Sequence, residues 1–78
     1  VIIPDNDRRN TAVLKSMKNL LEDGYPMVLW PDDIQEKDIN DMVMSGKTKE
    51  QIETIIQNNT YQGNMALLKF TNWRKVNV

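Results

Sequence analysis

The sequence predicts an α/β fold, and three observations carry that expectation. Val1, Ile2 and Ile3 form an unbroken, β-branched apolar run, the pattern of a strand buried on both faces. Met27, Val28, Leu29 and Trp30 form a second such run. Between them, Val13, Leu14, Met17, Leu20 and Leu21 recur at helical spacing and make one apolar stripe. Strand, helix and strand with short returns make a βαβ unit, whose two strands run parallel with a right-handed crossover. A parallel strand buried on both faces needs neighbours at both edges. The chain offers only one other convincing strand, so it reads as the C-terminal piece of a longer polypeptide whose upstream strands are missing.

Each element has its own local signals. Asn10 or Thr11 can cap the first helix, and Gly24 is placed as its left-handed stop. Lys15, Lys18, Asn19 and Glu22 fall off the apolar stripe and should face water. Pro31 ends the second strand, and residues 32–37 form a polar loop at its carboxyl end. Asp38 caps a short helix with Ile39, Met42 and Val43 on its apolar side, stopped by Gly46. Thr48, with Gln51 three residues on, has the capping-box form and starts a helix that buries Ile52, Ile55 and Ile56. Asn58 and Asn59 break it. The tail from Tyr61 is ambiguous between a helix starting after Gly63 and a short strand around residues 67–70. Its Met, Ala, Leu and Lys content favours the helix. The five methionines read as core filler.

Composition narrows the chemistry. Seventy-eight residues make one small domain, which buries roughly 60% of the surface its unfolded chain exposes. Net charge is −1 and pI about 5.2, so no overall basic field draws nucleic acid. The chain has no Cys and no His, which excludes disulfides, thiol nucleophiles, a zinc site of the usual kind and histidine acid–base catalysis from this segment. No apolar run approaches the ~18 residues of a membrane span and no signal peptide is visible. A cytoplasmic setting without membrane partners is expected.

The candidate site lies where the strands end. Asp5 and Asp7 follow the first apolar run directly, two residues apart, so both can face one side if the backbone stays extended through Asn6. Ligands of open α/β sheets bind outside the carboxyl ends of strands. Paired carboxylates there repel, and a divalent cation relieves the repulsion. Such oxygen donors suit Mg²⁺ or Mn²⁺, which favours phosphoryl or nucleotidyl transfer. Taken alone, the pair is better read as a solvated, helix-capping turn, because Asp-rich turns are common. A second acidic cluster, Asp32, Asp33, Asp38 and Asp41, follows the second strand. Parallel neighbours end on the same side, so both clusters should meet at one edge, with Asp38 a cap and also a candidate metal-facing group. Arg8 and Arg9, beside a helix N-terminus, suit phosphate or balance the aspartates. Lys69, Arg74 and Lys75 with Trp73 form a basic-aromatic stretch able to touch a nucleic-acid strand, although such a stretch is more often a solvated helix face with Trp73 in the core.

These residues, in this order, resemble the second half of a Toprim domain, the metal-binding nucleotidyl-transfer module of primases and topoisomerases. The run Val1-Ile2-Ile3-Pro4-Asp5-Asn6-Asp7 resembles the strand bearing that family's Asp-x-Asp motif, and residues 11–24 match the helix after it. Lys37-Asp38-Ile39-Asn40-Asp41 resembles the Lys-Asp-x-Asn-Asp element of primase-type members. The overall likeness, tail included, is strongest to the primases of T-even-like tailed phages. The resemblance implies a partial Toprim-like parallel sheet, a βαβ core over residues 1–46, and a helical extension of residues 47–78. It also implies RNA primer synthesis on single-stranded DNA from ribonucleotides during phage replication, within a parent enzyme partnered by a replicative helicase in a primosome. Asp5 and Asp7 would be catalytic and, with Asp38, would hold Mg²⁺ or Mn²⁺; Arg8, Arg9 and Lys37 would face phosphate. The family's upstream glutamate and zinc-binding segment have no counterpart here, so the fragment alone should be inactive. Many relatives have Ala-Gly where this chain has Arg9-Asn10.

Two other classes compete. Phosphatases of the haloacid-dehalogenase type also end an apolar strand with Asp-x-Asp and use the first Asp as nucleophile. They carry Thr or Val where this chain has Arg9. The other class is a non-catalytic docking module whose helices bind a protein partner.

Overall fold

The computed structural model describes all 78 residues. Its elements run α1 (Thr11–Glu22), β1 (Met27–Val28), α2 (Ile39–Met44), α3 (Lys49–Asn58), β2 (Thr60–Tyr61) and α4 (Gly63–Trp73).

Helix α1 follows its sequence signals closely. The Asn10 side chain accepts hydrogen bonds from the Ala12 and Val13 amides at 3.0 and 3.2 Å, so the exposed donors of the first turn are satisfied. Leu14, Met17 and Leu21 are buried along one face and pack toward α4. Gly24 takes φ +92°, where a side chain is strained. That turn lets the Gly24 amide reach Leu21 O (3.0 Å) and the Tyr25 amide reach Leu20 O (3.1 Å), closing the helix.

The sheet departs from the parallel expectation. β1 pairs antiparallel with β2, Met27 opposite Tyr61 and Val28 opposite Thr60. The Leu29 amide extends the pairing by donating to Asn59 O at 2.9 Å. The parallel relation of the first apolar run survives as a single bridge, Ile2 to Met27, made by Ile2 N–H to Pro26 O and Val28 N–H to Ile2 O, both 2.9 Å. The run is not buried on both faces either. Val1 is 69% exposed and Ile3 43%, and only Ile2 packs against the core. Alternate side chains point to opposite faces, so Ile2 turns to the core while Val1 and Ile3 share a face that nothing covers.

Three helices follow β1, within the expected number. Asp38 caps α2 by accepting the Asp41 amide at 2.8 Å, and Thr48 and Gln51 close a reciprocal capping box on α3. At the end of α3 the Asn59 side chain donates to Ile55 O and Thr60 Oγ1 to Ile56 O, which covers loose carbonyls as the chain turns into β2. The tail is helical, as its composition favours, and it buries Ala66, Phe70 and Trp73.

Thirteen apolar residues form the core and no polar residue is buried. Trp30 lies at its centre, fully enclosed, while Ile39 and Val43, expected on the packed side of α2, are exposed and leave Met42 to face inward. Met17, Met27 and Met42 fill the core; Met44 and Met65 are exposed, against the reading of all five as filler. No helix is long and apolar enough to cross a membrane.

Candidate functional site

The two acidic loops lie against each other, and Asn6 joins them. Its amide donates to Lys37 O at 2.6 Å, and its side-chain Nδ2 donates to Ile34 O at 2.9 Å and Glu36 O at 3.1 Å. Three donors of one residue thus hold the loop after the first apolar run to the loop after β1. The Asn6 Oδ1 atom is buried with no hydrogen-bond partner. The expectation that both acidic stretches share one edge rests here on this clasp rather than on a continuous parallel sheet.

Arg8 fixes the same junction from the other side. Its Nη1 donates to Asp32 Oδ1 and its Nη2 to Trp30 O, each at 2.8 Å. The guanidinium also lies 4.7 Å from the Trp73 ring centroid, a cation–π contact. Trp73 Nε1 donates to the same Trp30 carbonyl at 2.8 Å, and Trp30 Nε1 reaches Pro4 O at 2.8 Å. The Lys75 amide donates to Arg8 O at 2.8 Å. Arg8 is therefore a structural clamp with 15% of its side chain exposed, while its partner Asp32 is 95% exposed. Trp73 is a core residue, and Arg74 turns back onto Val76 O and Asn77 Oδ1. Of the cations expected to meet phosphate, Arg9 and Lys37 stand exposed on the loops with no ion pair.

The carboxylates are spread more widely than a metal cage. Asp5 is exposed and lines a cavity of about 410 Å³ with Ile2, Pro4 and the α1 residues Val13, Ser16 and Met17. Asp7 is half-buried and does not line that cavity; its Oδ1 accepts the Arg9 amide at 3.3 Å. Asp38 is committed through Oδ1 to the α2 cap. No group of three or more Asp or Glu side chains is gathered in a way that could hold a metal ion, so Asp5, Asp7 and Asp38 do not form a three-carboxylate set. The chain bends at Asn6, so the extended backbone that would turn Asp5 and Asp7 to one side is not formed, and the two side chains line no common cavity.

Glu36 is the one ionisable group held far from its ordinary range. Hydrogen bonds from Lys47 and then from Ser45 lower its pKa from 4.5 to about 2. Both donors bind Oε2, which ties the polar loop to the turn after α2.

Reading the sequence alone misses the residues that hold the site together. Asn6 passes as the spacer of Asp-x-Asp, and its side-chain donors match no motif. Glu36 is one charge in a polar loop. Arg8 balances neither adjacent aspartate; it reaches Asp32 and the Trp30 carbonyl, partners that its local sequence does not announce.

No family model matches the chain. The chain is 33% identical over 78 residues to the DNA primase of Enterobacteria phage T4, a match that takes in 97% of this chain and 23% of that protein. It thus spans under a quarter of the length of this relative. The likeness runs along nearly the whole chain, through both acidic loops and α4, and supports a segment of a DNA primase.

Proposed function

We propose that the chain is the Asp-x-Asp segment of a Toprim-type DNA primase that makes RNA primers on single-stranded DNA during phage replication. The observation that carries this reading is the 33% identity to a phage primase over 97% of the chain. The clasped acidic loops agree with it, because they bring the Asp5–Asp7 stretch beside Lys37 at one edge of the molecule.

In this reading Asp5 and Asp7 hold Mg²⁺ or Mn²⁺, and Asp38 serves as a cap behind them. The bound ion supplies charge neutralisation at the attacked phosphate. Arg9 and Lys37, exposed on adjoining loops, meet the triphosphate of the incoming ribonucleotide. Asn6 and Arg8 act on neither substrate nor metal; they hold the loops in register. The parent enzyme supplies the remaining acid–base group and pairs with a replicative helicase, so the 78-residue chain alone synthesises no primer.

The test is primer synthesis by the full-length parent carrying Asp5→Asn with Asp7→Asn. Loss of metal binding removes several kcal/mol of transition-state stabilisation, so primer yield should fall about a hundredfold or more while far-UV circular dichroism stays unchanged. A folded double variant with normal primer yield rejects the assignment, and it would move the chain to the docking-module class.

A further inference from the structure

A polar trough lies between α4 and the stretch after β1, apart from the cavity that Asp5 lines. It has a volume of about 450 Å³, and Tyr61, Lys69, Asn72 and Asn59 stand on its walls, with the Arg8–Asp32 pair at one end. Its charge is simple. Arg8 and Asp32 neutralise each other, and Lys69 has no carboxylate partner. The Lys69 ammonium instead rests 4.7 Å from the Tyr61 ring centroid. Lys69 is exposed and Tyr61 half-buried, so this cation caps an aromatic face that opens to solvent. Asn72 is exposed with no side-chain hydrogen bond, and Asn59 keeps its Oδ1 free because only Nδ2 is used, toward Ile55 O. Trp73 and Trp30 also line the trough, but their rings are core and cannot stack on a ligand.

One aromatic face, one unpaired flexible cation, the free Asn72 amide and the free Oδ1 of Asn59 are complementary to a flat heteroaromatic ring joined to a phosphate. We propose that this trough binds a nucleotide, with the base stacked on Tyr61, its edge met by Asn72 and Asn59, and the phosphate held by Lys69. Lys69 can swing from the ring to the phosphate as the base takes its place, so the cation–π contact marks the site in its ligand-free form. Stacking on an aromatic ring with a cation on the backbone is how single strands are held without sequence preference. The inference deepens the primase reading and rests on it for the class of ligand, but it needs neither metal nor Asp5 and Asp7.

The test is a titration of the ¹⁵N-labelled full chain in EDTA with two probes, the oligonucleotide (dT)10 and free dTMP. Amide shifts should move at Tyr61, Lys69 and Asn72. If dTMP moves them, one nucleotide suffices; if only (dT)10 does, the strand's further phosphates are needed; either result supports the site. Tyr61→Ala should weaken (dT)10 binding about fivefold or more, and Tyr61→Phe should restore it. Lys69→Ala, an exposed change that leaves the fold alone, should weaken binding and flatten its salt dependence. The proposal is overturned if neither probe shifts these amides, or if folded Lys69→Ala binds (dT)10 as tightly as the parent chain with an unchanged salt slope. Because the titration excludes metal, a primase reading that fails through Asp5→Asn with Asp7→Asn leaves this result standing, and the reverse holds too.

Discussion

Single residues decide where the two acidic loops sit. Asn6 satisfies two carbonyls through one side-chain nitrogen, Ile34 O and Glu36 O, and neither has another partner from the neighbouring loop. Asn6→Ala should therefore lower the stability of the chain by about 1–3 kcal/mol, read from urea unfolding, because it leaves half-buried acceptors unpaired. Asn6→Asp should be no better, since a carboxylate has no N–H to donate. An Asn6→Ala variant as stable as the parent would remove the clasp from the account. Glu36 gives a pH signature. Its pKa is lowered by Lys47 and Ser45 to about 2, so its stabilising contribution is complete above 4.5 and fades as pH falls toward about 2. The stability gap between the parent chain and Glu36→Gln should then close across that window in unfolding measured at several pH values. A gap that stays constant down to pH 2 contradicts the Lys47–Glu36 pairing. Little of this was legible in the sequence. The carboxylates and arginines announce charge, but which arginine clamps and which faces water depends on Trp30, Trp73 and Asp32, residues 22 to 65 positions away from Arg8 in the chain.

At the scale of elements the legibility was uneven, and for physical reasons. Helix ends were readable because capping is local: Asn10, Asp38 and Thr48 each bond an amide two or three residues on. The same locality makes a prediction. Thr48→Ala should cost about 1 kcal/mol by opening the capping box on α3, seen as a lower thermal midpoint with unchanged helix content at low temperature. No loss would mean that tertiary contacts, and not the cap, start this helix. The strands were harder. Thr60 and Tyr61 are too short a run to show period-two alternation, so β2 escaped notice, and with it the antiparallel pairing on the other edge of β1. The run at residues 1–3 reads as buried from its composition. Burial needs neighbours, and here only one bridge to Met27 is formed. For α2 the apolar side was over-read. Only Met42 turns fully inward, while Ile39, three residues earlier, stays exposed in the first turn.

At the scale of the whole molecule, three stretches of the chain converge on Trp30. Trp30 sits at the centre of the core with its indole on Pro4 O, and its carbonyl receives both Arg8 and Trp73, so the loop after residue 4, the stretch after β1 and the end of α4 meet on one residue. That convergence places the Asp5–Asp7 loop, the polar loop of residues 32–37 and the Tyr61–Lys69 trough on connected ground. The likeness to a phage primase covers this ground nearly end to end. In the proposed function the clasped loops gather a divalent cation at Asp5 and Asp7. The most direct measurement is paramagnetic broadening of the chain's amide signals by Mn²⁺. Selective broadening of residues 5–8 is expected, with weaker broadening across residues 34–37, and it should disappear in Asp5→Asn with Asp7→Asn. Broadening that is centred on another carboxylate cluster, or that survives the double substitution unchanged, contradicts the proposal.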